Sequence, residues 1–130
     1  MPESHAPTRI LVADDEAQIC RLAEDALRPS GYDIDTAQTG REFFQRYRTG
    51  DYSLLILDAL LREVSGLEVV MRLRDGGDVV PIILMFGPRK EPERMERMAF
   101  SYRVDLLRKP FGVAELRDAV LRALGEPRAD

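Results

Sequence analysis

Five short apolar runs alternate along the chain with five segments of helical periodicity, and few folds satisfy that alternation. The runs are 8–13 (TRILVA), 32–37 (YDIDTA), 53–57 (SLLIL), 79–86 (VVPIILMF) and 104–107 (VDLL). Each has the length of a strand. The run SLLIL is almost continuously apolar, so both faces of that strand must be covered, as in a parallel sheet. Between the runs, apolar residues recur at helical spacing. The first set is Ile19, Leu22, Ala23, Ala26 and Leu27, followed by Phe43, Phe44 and Tyr47. Then come Leu67, Val70, Met71 and Leu73, and after them Met95, Met98, Ala99 and Tyr102. The last set is Val113, Leu116, Val120 and Leu124. Strand and helix repeated five times predict a (βα)₅ doubly wound α/β domain with helices on both faces of a five-stranded parallel sheet.

Punctuation supports the same division. The acidic triplet Asp14, Asp15 and Glu16 is expected to open the first helix, where carboxylates suit the helix dipole, and Pro29 and Gly31 to stop it. Thr39 reads as an N-cap with Glu42 as its reciprocal partner. Gly50 closes the second helix. The third is expected to start near Ser65 and end at Gly76 and Gly77. Pro81 is placed near the start of the fourth strand, since it has no N–H for a ladder. The fourth helix is expected over 92–102 and the fifth over 112–124. Residues 1–7 read as a flexible leader, 8–125 as the domain and 126–130 as a polar tail.

Composition narrows the chemistry. Cys20 is the sole cysteine and His5 the sole histidine of 130 residues, which leaves no internal disulfide and almost no scope for histidine-based catalysis or a histidine metal site. Cys20 falls in a helical pattern and reads as packing. The net charge of −4 argues against nucleic acid as the main partner. No apolar run reaches the length of a bilayer span, and the first seven residues lack the pattern of a secretory signal. Both point to a cytoplasmic protein. Of the 19 basic residues only Lys90 and Lys109 are lysine. In a chain that uses arginine for routine surface charge, a lysine at a special place needs its own reason.

Ligand sites of doubly wound sheets lie beyond the carboxyl ends of the strands, where strand order reverses. The first strand ends at Asp14 and Asp15, the third at Asp58, the fourth at Phe86 and Gly87, and the fifth at Lys109. Three converging carboxylates repel one another unless a cation neutralises them. An all-oxygen set suits Mg²⁺, and a nearby ammonium could pair with a phosphoryl group. The plainer reading is a set of helix N-caps and solvated loop acids. Asp58 stands at the mouth of a buried strand, and Lys109 precedes Pro110 across a bond that can be cis.

With these residues in place the chain resembles the receiver domains of bacterial two-component response regulators, from about Arg9 to Leu124. The matching pieces are ILVADDE, LLILD, Gly66 eight residues beyond the aspartate, the proline opening PIILM, and KPF at 109–111. The resemblance implies a flavodoxin-like strand order 2-1-3-4-5. It also implies that Asp58 accepts a phosphoryl group from a histidine kinase or phosphotransfer protein. Asp14, Asp15, Asp58 and the Leu60 backbone carbonyl would hold Mg²⁺, and Lys109 would contact the phosphoryl oxygens. Catalysis would be limited to self-catalysed transfer and slow autodephosphorylation, with Leu60 and Pro88 flanking the path of the attacking water. The face of the fourth helix, fifth strand and fifth helix, with Arg94, Glu96, Arg97 and Arg117, would serve a homodimer or a kinase.

The departures from the family pattern concern read-out. Phe86 stands where Thr or Ser is usual, and Leu106 where an aromatic switch residue is usual. Arg62 replaces a common proline, and Tyr102 and Arg103 replace a Gly-Ala pair. A benzyl group cannot donate a hydrogen bond. The leading expectation is therefore a phospho-accepting receiver that signals by protein contact. The alternatives are a receiver-fold interaction module independent of phosphorylation, or an unrelated Mg²⁺-dependent phosphatase. No DNA-binding element is expected within these residues. The run PRKEPERMERM reads as a solvated face, with docking or nucleotide second-messenger binding as the alternative.

Overall fold

The computed structural model describes residues 8–88 and 92–125. The expected leader, the expected tail and residues 89–91 of the Arg/Glu-rich run lie outside them. The order is β1 (Arg9–Ala13), α1 (Ala17–Leu27), β2 (Asp33–Ala37), α2 (Gly40–Thr49), β3 (Leu54–Asp58), α3 (Gly66–Asp75), β4 (Ile82–Phe86), α4 (Pro92–Tyr102), β5 (Asp105–Arg108) and α5 (Val113–Leu124). The five strands form one parallel sheet in the order β2-β1-β3-β4-β5. The reversal falls between β1 and β3, so the crevice expected of such sheets opens at Ala13–Asp14 and Asp58.

Strand alternation sends side chains to two apolar layers. Leu11, Leu55, Leu57, Leu84 and Phe86 pack with Phe43, Val69, Val70, Met95 and Ala99, from α2, α3 and α4. Ile10, Val12, Ile56, Ile83 and Met85 pack with Ala23, Leu27, Leu116, Ala119 and Val120, from α1 and α5. Cys20 is buried, as its helical position implied.

Several boundaries differ from the sequence expectation, each for a local reason. The acidic triplet does not form the first turn of α1. Asp14 is wholly buried, its Oδ1 accepts the Glu16 N–H at 2.9 Å, and the helix starts only at Ala17. Thr39 does cap α2 through the Glu42 N–H at 3.1 Å, but the Glu42 carboxylate reaches the N–H of Gln38 at 2.8 Å, one residue earlier than a capping box. Strand β4 starts at Ile82 rather than 79. Pro81 contributes only its carbonyl, which accepts the Leu55 N–H at 3.0 Å, and Val79 is exposed. Val104 is drawn back into the end of α4 by its N–H bond to the Ala99 carbonyl at 3.0 Å, so β5 runs from Asp105 through Arg108. In α3 Gly66, Val69 and Val70 are buried, while Met71 is exposed. In α5 Val113 is exposed and Ala119 is buried.

The carboxyl-end loops are held by neighbouring backbone. Asp14 N–H bonds to the Ala37 carbonyl at 3.0 Å, Ala59 N–H to Met85 at 2.8 Å and Lys109 N–H to Phe86 at 2.8 Å. At the opposite end, the Arg74 guanidinium donates to three carbonyls: Tyr102 at 2.7 Å, Asp78 at 2.9 Å and Arg103 at 3.0 Å. Arg103 adopts a left-handed φ of 57°, a conformation that favours glycine.

Candidate functional site

Asp14, Asp15, Asp58 and Lys109 meet at the mouth of the crevice. The three carboxylates present oxygens that lie within 4.8 Å of one another. Asp14 is 0% exposed and Asp58 6%. Lys109 Nζ stands 2.8 Å from Asp14 Oδ2, 3.5 Å from Asp58 Oδ2 and 3.5 Å from Glu16 Oε1. The Lys109–Pro110 bond is cis. Asp58 Oδ1 accepts the Leu60 N–H at 3.2 Å.

The electrostatics are those of a site short of positive charge. Burial pushes the Asp14 carboxyl up to about 6, and the charge of Asp58 adds to the rise. The Lys109 hydrogen bond and the Glu16 N–H offset only part of it. Burial disfavours the Lys109 ammonium, but its bond to Asp14 and the charges of Asp14, Asp58 and Glu16 outweigh burial and hold its pKa above the ordinary value. These donors are all oxygen, so the cluster fits a hard cation such as Mg²⁺.

A stability prediction follows for the metal-free chain. The folded pKa of Asp14 lies above its ordinary 3.8, so the folded state binds the proton more tightly than the unfolded state does. The charged carboxylate therefore costs stability above about pH 6, and stability is regained as pH falls toward the unfolded value. In chelator, Asp14→Asn should stabilise the fold at pH 7 by about 1–3 kcal/mol and flatten the pH dependence of Tm between pH 7 and 5. A variant with lower stability at pH 7 would count against this account.

The other expected positions are also placed. Phe86 is buried at the end of β4, in the layer shared with Met95 and Ala99, and Leu106 packs against that same layer. Leu60 is 61% exposed and Pro88 is exposed in the turn after β4. Arg117 is not free for a partner surface in the way expected, because its Nε donates to the Ala26 carbonyl of α1 at 2.9 Å. Sequence reasoning missed the approach of Glu16 to Lys109. It also missed the pairing of Arg62 Nε with Asp15 Oδ2 at 3.4 Å, and Phe100, which is 89% exposed on α4.

Gly66, read only as a motif residue, has a steric reason. A Cβ there would lie 2.1 Å from the Asp58 carbonyl oxygen. The start of α3 is therefore in direct contact with the backbone of the buried aspartate.

Residues 10–121 match the family model described as the response regulator receiver domain. The chain belongs to that family. Among curated relatives, this receiver domain is 34% identical over 118 residues to the response regulator MprA of Mycolicibacterium vanbaalenii, covering 91% of this chain and 50% of that one. It is 33% identical over 115 residues to the uncharacterized transcriptional regulatory protein YkoG of Bacillus subtilis, covering 88% and 50%. The receiver domain thus spans about half the length of these relatives. A solved structure of a putative response regulator from Chloroflexus aurantiacus superposes with a TM-score of 0.82 at 27% identity, covering 93% of this chain and all of that one. The chemotaxis protein CheY4 of Vibrio cholerae shares the fold, with a TM-score of 0.80 at 24% identity, covering 92% of this chain and all of that one. The chain is a receiver domain of two-component signal transduction, and its sheet order is the flavodoxin-like one. No helix among the described residues is long and apolar enough to cross a membrane.

Proposed function

We propose that this receiver domain takes a phosphoryl group on Asp58 from a histidine kinase or phosphotransfer protein and signals through protein contacts. The observation that carries the reading is the position of Lys109 Nζ between Asp14 and Asp58, beside three carboxylates that share one small space. Asp14, Asp15, Asp58 and the Leu60 carbonyl would hold Mg²⁺, which supplies charge stabilisation for the phosphoryl oxygens when bound. Asp58 provides the attacking oxygen, and Lys109 contributes a second positive charge as negative charge builds on the transferring group. The completeness of this set favours the acceptor reading over an interaction module independent of phosphorylation. The test is intact mass after incubation with acetyl phosphate, with and without Mg²⁺. One alkali-labile phosphoryl group should appear only with the metal; an unchanged mass would overturn the reading.

The loaded state should be long-lived. In-line attack on the phosphorus needs an ordered water opposite the leaving carboxylate. Leu60 offers no side-chain hydrogen bond, and Pro88 offers neither a side-chain polar group nor an N–H. Leu60→Asn and Pro88→Glu should therefore hydrolyse the Asp58 phosphate faster than the native chain in excess Mg²⁺, measured as decay of radiolabel. Equal or slower decay would mean that water access past these residues does not limit the reaction.

For the protein contact, the α4–β5–α5 face is the candidate homodimer surface. Its support is Phe100, exposed on α4 beside Glu93, Glu96 and Arg97. Charges of both signs around an apolar centre suit a two-fold contact between copies. Phe100→Ser should shift light scattering toward monomer; an unchanged mass distribution would remove this face from consideration.

A further inference from the structure

Two cations, not one, attend the acidic cluster. Lys109 serves Asp14 and Asp58, and Arg62 serves Asp15. The base of Arg62 is fixed. Its carbonyl accepts the N–H of Gly40 at 2.9 Å and of Val64 at 2.8 Å. The next residue, Glu63, takes a left-handed φ of 72°, and its carboxylate accepts the Arg41 N–H at 3.1 Å. Gly40 itself has no room for a Cβ, which would lie 2.7 Å from Val64 Cβ. The start of α2 therefore clamps the loop that carries Arg62.

The far end of the side chain is free by comparison. It is 74% exposed and, among the described residues, is held by one ion pair at 3.4 Å. Such a pair is weak in water. A cation bound by Asp15 would displace it.

The acceptor pocket has a matching need. A phosphoryl group presents three strong acceptor oxygens. Lys109 supplies one ammonium. Phe86 supplies no donor, and its ring is buried in the apolar layer beneath α4. A guanidinium offers planar paired N–H groups that match phosphoryl oxygens two at a time.

We propose that Arg62 is a catalytic residue with two successive partners: it neutralises Asp15 in the metal-free chain, and once a cation holds Asp15 it binds the oxygens of the incoming phosphoryl group, filling the donor role that Phe86 cannot. The proposal rests on Asp58 being the acceptor. In the transfer an Asp58 carboxylate oxygen forms the new bond to phosphorus. The P–O bond of an acyl phosphate donor breaks, and the departing carboxylate keeps the electron pair. Arg62 forms no covalent bond and gives up no proton.

The experiment compares the native chain with Arg62→Gln and Arg62→Lys in two measurements. Calorimetric titration with Mg²⁺ alone should give about 2- to 5-fold tighter binding in Arg62→Gln, because Asp15 is released from its ion pair. Phosphoryl uptake from acetyl phosphate at saturating Mg²⁺ should be about 10- to 100-fold slower in Arg62→Gln, with Arg62→Lys recovering part of the loss. A residue that only supported the loop would not tighten Mg²⁺ binding when removed. Unchanged Mg²⁺ affinity, or an unchanged rate at saturation, overturns the proposal. If the native chain is labelled and the variants match it, the role of Arg62 alone fails. If the native chain takes up no label, the Asp58 reading fails and this one falls with it.

Discussion

Lys109→Met should slow phosphoryl uptake by about 100- to 1,000-fold at saturating Mg²⁺, the scale seen when one preorganised charge-stabilising donor is removed from an active site. The ammonium is placed for this before any ligand arrives. It lies 2.8 Å from the wholly buried Asp14 and 3.5 Å from Asp58. The same substitution should cost the metal-free fold about 3 kcal/mol, because removing one member of a buried ion pair leaves its partner uncompensated. Mg²⁺ should restore much of that stability without restoring the rate. Pulse labelling and thermal melts with and without Mg²⁺ separate the two effects. A variant that takes up label at the native rate would show that Lys109 serves the fold alone.

Gly66→Ala should destabilise the domain by about 3 kcal/mol, at the upper end of overpacking costs. The added carbon would meet the Asp58 carbonyl oxygen at 2.1 Å, the Asp58 carbonyl carbon at 2.8 Å and Ala59 Cα at 3.1 Å. All three are backbone atoms, so no side chain can rotate away. The loop is also tied there by the Gly66 N–H bond to the Ala59 carbonyl at 3.1 Å. Relief therefore requires either α3 or the end of β3 to shift, and the second displaces Asp58. Gly87→Ala is the control. A Cβ there meets nothing within 4 Å, and its effect should stay within about 0.5 kcal/mol. Denaturant melts of both variants decide the matter; a Gly66→Ala protein as stable as the control would mean the helix start yields freely.

What the sequence made legible follows from how local each signal is. All five strands and five helices could be read from apolar period and punctuation, because each element buries a face of its own. Lys109 stood out because the chain otherwise uses arginine. Asp14, Asp15 and Asp58 could be grouped because strand ends converge in this topology. The errors arose where a non-local contact decides. Val69 and Met71 point about 200° apart on α3, and only the sheet decides which of these two apolar sides is buried and which exposed. Asp14 reads as a helix-opening acid until the crevice takes it out of solvent. Arg62 was visible only as a departure from a proline, since its meeting with Asp15 depends on a loop clamped by the start of α2. Phe100 follows the buried Ala99 in an apolar-looking stretch, and its exposure is a matter of helix phase.

The three-carbonyl grip of Arg74 sets the mechanics of α4. The guanidinium fastens Tyr102, the last residue of that helix, and Arg103, the residue after it, to the loop at Asp78. The opposite end begins at Pro92, on the side of the sheet that carries the acidic cluster. An 11-residue helix is about 16 Å long, so a tilt hinged at the Arg74 contacts would make it a lever. Rotation about that hinge would produce its largest travel at Pro92 and almost none at Tyr102. Phe100 sits half a turn from the hinge, so a tilting α4 would swing its sequence-early half while leaving the exposed ring nearly in place.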